Sequence, residues 1–403
     1  MKEKWNNSLK NRRIEMRDEI PANMCDNAEN YFVREFRLFF ALLRVFGIEM
    51  PDHSFLNKQT LKAKEKELIW SFNASPAYVF IVIFYLVTMN SILWIIILPR
   101  GSKEITNTFL TLLKILSYIL IIKKRRTIVR IIDKFNKLRN ALGPQYNFRL
   151  EKRIYTVYFL FVLILFAVWS IMFSLTASRR QEFSKVFFRE IKFPPQLCTF
   201  CAVVLLMSDC LFHFIIRLSF SVFVIYYSLI CRVIRLLFGC LIDRFHRQIW
   251  IKEHRSLLVS YGEITKSIRN IDREFSFAIF AIIIVNMVEL FWGGYRLAFR
   301  SRRNTKYVIA LICSASCYLT FQLLIMISAC MTNEMAEKVK NTLLCMKYRF
   351  SRDLRETKFK EVSTKENNLT LWKMYFLDRS LLITSFGTVL TYGILIGTLG
   401  DES

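Results

Sequence analysis

The chain has 403 residues, of which 54% are hydrophobic and 15% aromatic, with only 11 Gly and 7 Pro. That balance excludes a disordered or collagen-like chain and argues against an ordinary soluble enzyme. The net charge of +26 would suggest a nucleic-acid partner in a soluble protein, but here the basic blocks alternate with apolar runs, as in membrane-flanking loops, so no nucleic-acid partner is expected.

Met1 to Ile20 is charged and lacks the apolar stretch of a signal peptide. Phe32 to Ile48 carries Arg34, Arg37 and Arg44 near one face, with Phe36, Phe39, Phe40, Leu43 and Phe46 around the rest. This pattern predicts an amphipathic helix docked at the end of a bundle, ended by Gly47 and Pro51.

A spanning helix needs about 20 mostly apolar residues to cross a core about 30 Å thick. Seven segments meet or approach that requirement: Ala77 to Leu98, Ile105 to Ile122, Ile154 to Thr176, Cys198 to Ile230, Phe275 to Phe299, Tyr307 to Met331 and Met374 to Gly400. The second is short and carries Lys114, which is either a counter-charge or snorkels out. The fourth is too long for one crossing and is expected to continue into water as a helix. There Leu236, Leu237, Phe238, Leu241 and Ile242 would face neighbouring helices, between Arg232, Arg235, Asp243, Arg244 and Arg247.

The expected fold class is therefore an all-α membrane protein of seven transmembrane helices with long cytoplasmic helical extensions. The N-terminus is expected inside and the C-terminus outside. Lys and Arg are more numerous on the inner side, although that side is also longer. The domains read as a cytoplasmic segment over 1–76, a seven-helix domain over 77–400 and a short outer tail over 401–403.

No HExxH, GxSxG or phosphate-binding glycine loop occurs, and Cys198 and Cys201 form a lone CxxC without a second pair. The scattered cysteines read as small packing residues, and no enzyme activity, metal or cofactor is expected. Ionisable groups inside spans are costly and usually face an interior or a wet cavity. Asp209, His213 and Arg217 lie at i, i+4 and i+8 on the fourth span, an order compatible with a stripe that satisfies itself. Glu289 lies on the fifth span, with Arg296 two turns on. Trp292, Tyr295, Tyr318 and Gln322 can add aromatic walls and hydrogen-bonding edges at the same depth. Two readings of these residues remain open: a ligand cavity between helices, or polar glue holding the bundle together.

On the last span, Gly393 and Gly397 form a GxxxG, and Thr391 and Thr398 lie seven apart on one face, a pattern that suits a pore wall. Thr391 and Tyr392 followed by five residues, Gly393 to Gly397, resemble the C-terminal signature of insect gustatory receptors, in which Thr-Tyr and five hydrophobic residues precede Gln-Phe. Phe376-Leu377-Asp378 and Leu42 to Ile48 are also similar to family segments, whereas Thr398 and Leu399 stand in place of Gln and Phe.

The resemblance implies a taste receptor in the cell membrane of sensory neurons, acting as a ligand-gated cation channel. Its partners would be a small-molecule tastant, monovalent or divalent cations, the lipid bilayer and related subunits in a homo- or heterotetramer. The last helix would line the pore, with Thr391, Tyr392, Thr398 and Leu399 at the pore or gate. Asp209, His213, Glu289, Trp292, Tyr295, Tyr318 and Gln322 are the pocket candidates, chosen from this sequence. Alternatives are a related protein that no longer conducts, a G-protein-coupled receptor and a secondary transporter. None of the seven Pro falls inside an assigned span and no NPxxY ends the last one, which disfavours the G-protein-coupled class. No internal repeat supports a transporter.

Overall fold

The computed structural model describes residues 102–124, 149–174, 195–247, 251–299, 305–345 and 368–400, with isolated positions 85, 88, 127, 131, 134 and 135. Six helices account for most of these: α1 Ser102–Lys123, α2 Arg149–Ser174, α3 Pro195–Arg247, α4 Ile251–Phe299, α5 Thr305–Cys345 and α6 Arg379–Gly400. A small hairpin of β1 Thr370–Leu371 and β2 Tyr375–Phe376 precedes α6. Six of the seven expected spans therefore fall on described helices. The first span, apart from positions 85 and 88, and the amphipathic segment Phe32 to Ile48 lie outside the described residues.

α3 has 53 residues and starts at Pro195, whose fixed φ suits the first helical position. At 1.5 Å per residue it is about 80 Å long, far more than a bilayer core. α4, with 49 residues, and α5, with 41, also exceed one crossing. Only residues 248–250 join α3 to α4, so the two helices run antiparallel, and residues 300–304 return the chain into α5. The surplus length of all three helices consequently gathers at one end of the bundle. The expected continuation of the fourth span is present there, with Leu237, Phe238 and Leu241 buried and Leu236 and Ile242 partly so.

α3 is the central helix: Phe220, Phe223, Tyr226, Tyr227 and Ile234 are all essentially inaccessible. α2 is peripheral, and Ile154, Val157, Leu160, Phe161, Ile164 and Ile171 form an exposed stripe along it. In water so continuous an apolar stripe would be a liability, whereas lipid tails solvate it. Four described helices are long and apolar enough to cross a membrane, and the protein is an all-α membrane protein. The seven described cysteines are free, with Cys231, Cys317 and Cys330 buried.

The last span differs from expectation at its start. Met374 does not open a helix, because Thr370 pairs with Phe376 and Leu371 with Tyr375 in an antiparallel register. Trp372 and Lys373 turn this hairpin with φ of 48° and 58°, the left-handed pair that a type I′ turn requires. The Trp372 ring packs 5.1 Å from Phe277 and 5.4 Å from Phe280 of α4, an aromatic contact that helps to hold the unfavourable backbone. Helix α6 starts only after Asp378, whose carboxylate accepts the Leu381 N–H at 2.7 Å as an N-cap.

Candidate functional site

Helices α1, α2, α3, α4 and α5 each contribute to an inter-helix cavity of about 220 Å³. Lys114 of α1, Trp169 of α2, His213 and Arg217 of α3, Glu289, Trp292 and Arg296 of α4, and Tyr307 and Ser314 of α5 are among its lining residues. Among the described lining residues the charges are unequal, with three basic side chains and one carboxylate.

Lys114 forms a direct ion pair with Glu289, and their side chains are only 5% and 17% exposed. Of the two roles open to this lysine, the counter-charge is therefore the one found. Charges so deep in an apolar bundle persist only when paired or functional. Pairing also explains how α1 can carry an ammonium group within an otherwise apolar segment.

Arg217 is 4% exposed. Its hydrogen bonds reach across to α5, while the stripe expected along α3 ends at Asp209, whose side chain lies outside the described residues. Arg217 Nη2 donates to Ser314 Oγ at 2.6 Å and its Nε to the Tyr318 hydroxyl at 3.4 Å. The guanidinium carbon lies 4.2 Å from the centre of Trp169 and 5.1 Å from that of Tyr318, within cation–π range of both. Nη1 is buried and has no acceptor. Trp292, whose Nε1 is likewise buried without an acceptor, stacks on Tyr295 at 5.7 Å and lies beneath the Arg296 guanidinium at 5.2 Å.

The cavity thus gathers His213, Glu289 and Trp292 from the expected set, with Tyr295 and Tyr318 behind its walls. Gln322 is separate. It lies one turn beyond Tyr318 on the side of α5 that faces α6, where its Nε2 donates to Ser385 Oγ at 3.3 Å. Asp209 is on α3, four residues before His213, and its side chain lies outside the described residues. Trp169 and Ser314 were missed by sequence reading, since nothing in their local pattern separates them from ordinary packing residues.

Other polar side chains do behave as interhelical glue. The Ser228 and Ser328 hydroxyls meet at 2.6 Å, Tyr155 joins Ser228 at 3.2 Å, and Thr332 donates to the Cys231 carbonyl at 3.2 Å. These contacts tie α2 and α5 to the centre of α3.

A second polar cluster anchors the hairpin that leads into α6. Asn333 of α5 donates to the carbonyls of Leu369 and Leu377, both at 3.0 Å, and accepts the Leu369 N–H at 2.7 Å. Asp272 of α4 accepts the Thr370 N–H at 2.6 Å and the Thr370 hydroxyl at 2.9 Å. Burial raises the Asp272 carboxyl above its ordinary value despite those donors. Nearby Glu274, just before the apolar stretch of α4, is held below its ordinary value by Lys124, which donates to it at 2.8 Å. At the start of α6, Arg379 grips Glu334 through Nε at 2.6 Å and Nη2 at 2.8 Å, the two-pronged geometry of a guanidinium–carboxylate pair.

On α6, Ser385 is buried against α5, whereas Ile383, Leu390 and Ile394 are strongly exposed and Thr391 is exposed beside them. The Thr391 hydroxyl donates to the Gly387 carbonyl at 2.8 Å. Tyr392, Gly393, Gly397, Thr398 and Leu399 are on the same helix, and the side chains of Tyr392, Thr398 and Leu399 lie outside the described residues. Among the described residues no three His, Cys, Asp or Glu side chains group as a metal site.

The fold is similar to that of the insect olfactory receptor OR5 from Machilis hrabei, with a TM-score of 0.60 and 12% sequence identity over 91% of this chain and 98% of that one. The structure of the same receptor in complex with eugenol is similar at a TM-score of 0.61 and 13% identity, covering 92% of this chain and 100% of that one. No protein family profile and no curated protein matches the sequence.

Proposed function

We propose that the chain is an insect-type chemoreceptor: a ligand-gated cation channel whose ligand enters the cavity between α1 and α5 and whose last helix lines the pore. The observation that carries this reading is a membrane fold shared along almost its whole length with an olfactory receptor, joined to a charged, aromatic-walled cavity inside the bundle. An apolar bundle that keeps several ionisable groups around one hollow is the arrangement expected of a binding site in a membrane. No catalytic role is assigned to these residues.

The same helix serves both ends of the proposed mechanism. Ser314 and Tyr318 of α5 hold Arg217 at the cavity, and Gln322, about 12 Å along the helix from Ser314, holds Ser385 of α6. A ligand that shifts α5 therefore acts directly on the last helix, without an intermediary. The exposed face of α6 around Thr391 then meets its counterparts in a tetramer, with cations passing between them. Taste reception is the finer assignment, supported by the Thr391-Tyr392 motif at the end of the chain. The N-terminus is assigned to the cytoplasm and the C-terminus to the outside.

Recording cation currents from cells expressing the full chain, while small organic molecules are applied, tests this function. Ligand-evoked currents whose conductance changes when Thr391 or Thr398 is replaced support it. Evoked currents unchanged by several substitutions at both positions sink the pore assignment. Silence to a broad panel in correctly inserted protein favours a non-conducting relative, the reading motivated by Thr398 and Leu399 in place of Gln and Phe.

A further inference from the structure

Among the described residues, the cavity lining carries more positive than negative charge. Glu289 is engaged by Lys114, which leaves the guanidinium groups of Arg217 and Arg296 around the same hollow. Ser314 and Tyr318 are neutral partners and take two of the edges of Arg217. Its third edge, Nη1, is buried without an acceptor, as is Nε1 of Trp292 on the same cavity wall. A buried donor without an acceptor is costly, and more so when it carries charge. The two donors belong to residues that line one cavity, and the group they lack is an acceptor, with a guanidinium among them an anionic one.

The walls supply the rest of the description. Trp169, Trp292 and Tyr307 make part of the lining aromatic. At about 220 Å³ the hollow is smaller than the roughly 300–1,000 Å³ of drug-sized sites, so the occupant must be compact. We infer that this cavity, taken as the receptor's ligand site, binds a small organic carboxylate with a flat apolar body, its carboxylate on Arg217 Nη1 and Trp292 Nε1. The inference rests on the receptor reading above, but the charge and the orphaned donors belong to this chain.

Equilibrium binding of labelled benzoate to the purified full chain in nanodiscs tests the inference without requiring a current. Benzyl alcohol and chloride serve as competitors, to separate the carboxylate from the ring and from anions in general. Saturable benzoate binding that benzyl alcohol and chloride displace at least tenfold less effectively than unlabelled benzoate is expected. Arg217→Gln is expected to weaken binding about tenfold to a hundredfold, as for a charge-assisted hydrogen bond. Trp292→Phe keeps the ring and removes the donor, and is expected to weaken binding about threefold to tenfold.

Should Arg217→Gln fail to fold, Arg217→Lys keeps the charge but loses the planar fork and is expected to bind more weakly than the wild type. Absence of saturable benzoate binding overturns the inference, as does displacement by benzyl alcohol or chloride as effective as that by benzoate. Binding unchanged in both Trp292→Phe and the folded Arg217 variant overturns it too. Benzoate binding in a protein that passes no current removes the channel and keeps the carboxylate site. Currents evoked by benzyl alcohol in a protein blind to benzoate do the reverse.

Discussion

Glu289→Gln is the substitution that most directly probes the buried electrostatics. The variant keeps the shape of the side chain and removes its charge, leaving the Lys114 ammonium in direct contact with a neutral amide. Breaking one side of a buried ion pair costs about 3–5 kcal/mol, because the remaining charge is stranded. Here the lower end applies, about 3 kcal/mol, since Glu289 is 17% exposed towards the cavity while Lys114 is 5% exposed. Lys114→Met alone should cost a similar amount by stranding the carboxylate. Replacing both, as Lys114→Met with Glu289→Leu, removes the desolvation along with the attraction and should return stability to within about 1 kcal/mol of the wild type. Glu289→Leu alone closes the cycle and should likewise cost about 3 kcal/mol. The two single losses then total about 6 kcal/mol against about 1 kcal/mol or less for the double variant, a favourable coupling of about 5 kcal/mol, above the roughly 0.5–3 kcal/mol usual for contacting residues. SDS titration of the micellar protein, followed by tryptophan fluorescence, gives the free energies. A Glu289→Gln variant within about 0.5 kcal/mol of the wild type, or a double variant that loses the sum of the two single losses, would refute the reasoning.

Asn333→Ala removes three hydrogen bonds that hold both ends of the hairpin, and should destabilise the protein by about 2–4 kcal/mol in the same titration. Asn286 is fully buried with neither side-chain polar atom partnered, so Asn286→Leu should raise stability by about 1–3 kcal/mol; a loss of stability would show that the amide has a partner. The folded-state value of Glu274 is depressed, so its pairing with Lys124 stabilises the fold fully above the ordinary carboxylate value of 4.5. That contribution fades as pH falls through the lower folded-state value. Lys124→Met should accordingly lower stability at pH 7 but leave it nearly unchanged near pH 2, as read from unfolding midpoints at the two pH values.

The helices were legible because lipid removes the ambiguity of a soluble sequence: long apolar runs bounded by basic residues can only be spans or buried cores. Even the extension of the fourth span was visible, since Leu237, Phe238 and Leu241 continue the apolar face past the bilayer length. The start of α6 was misread because Met374, Tyr375 and Phe376 run apolar into the helix. The local signal was Asp378, a capping residue three positions before Leu381. At the cavity, helical spacing put His213 and Arg217 on one face and Glu289 and Arg296 on another, and all four line it. Which partner each charge takes was not legible, because it depends on how α1 and α5 pack across the bundle. Lys114 is closed by a residue far along the chain, and Arg217 bonds to Ser314 and Tyr318 of another helix. Asn333 and Asp272 gave no signal, since each acts on backbone groups more than thirty residues away.

Electron-microscopic imaging of the full chain in lipid nanodiscs tests the central claim most directly, because a pore along the last helix requires a particular assembly. The account predicts four copies around one axis, with residues 379–400 of each facing that axis and the exposed stripe of α2 facing lipid. A monomer, or an assembly whose last helix faces lipid while another helix lines the centre, would contradict it.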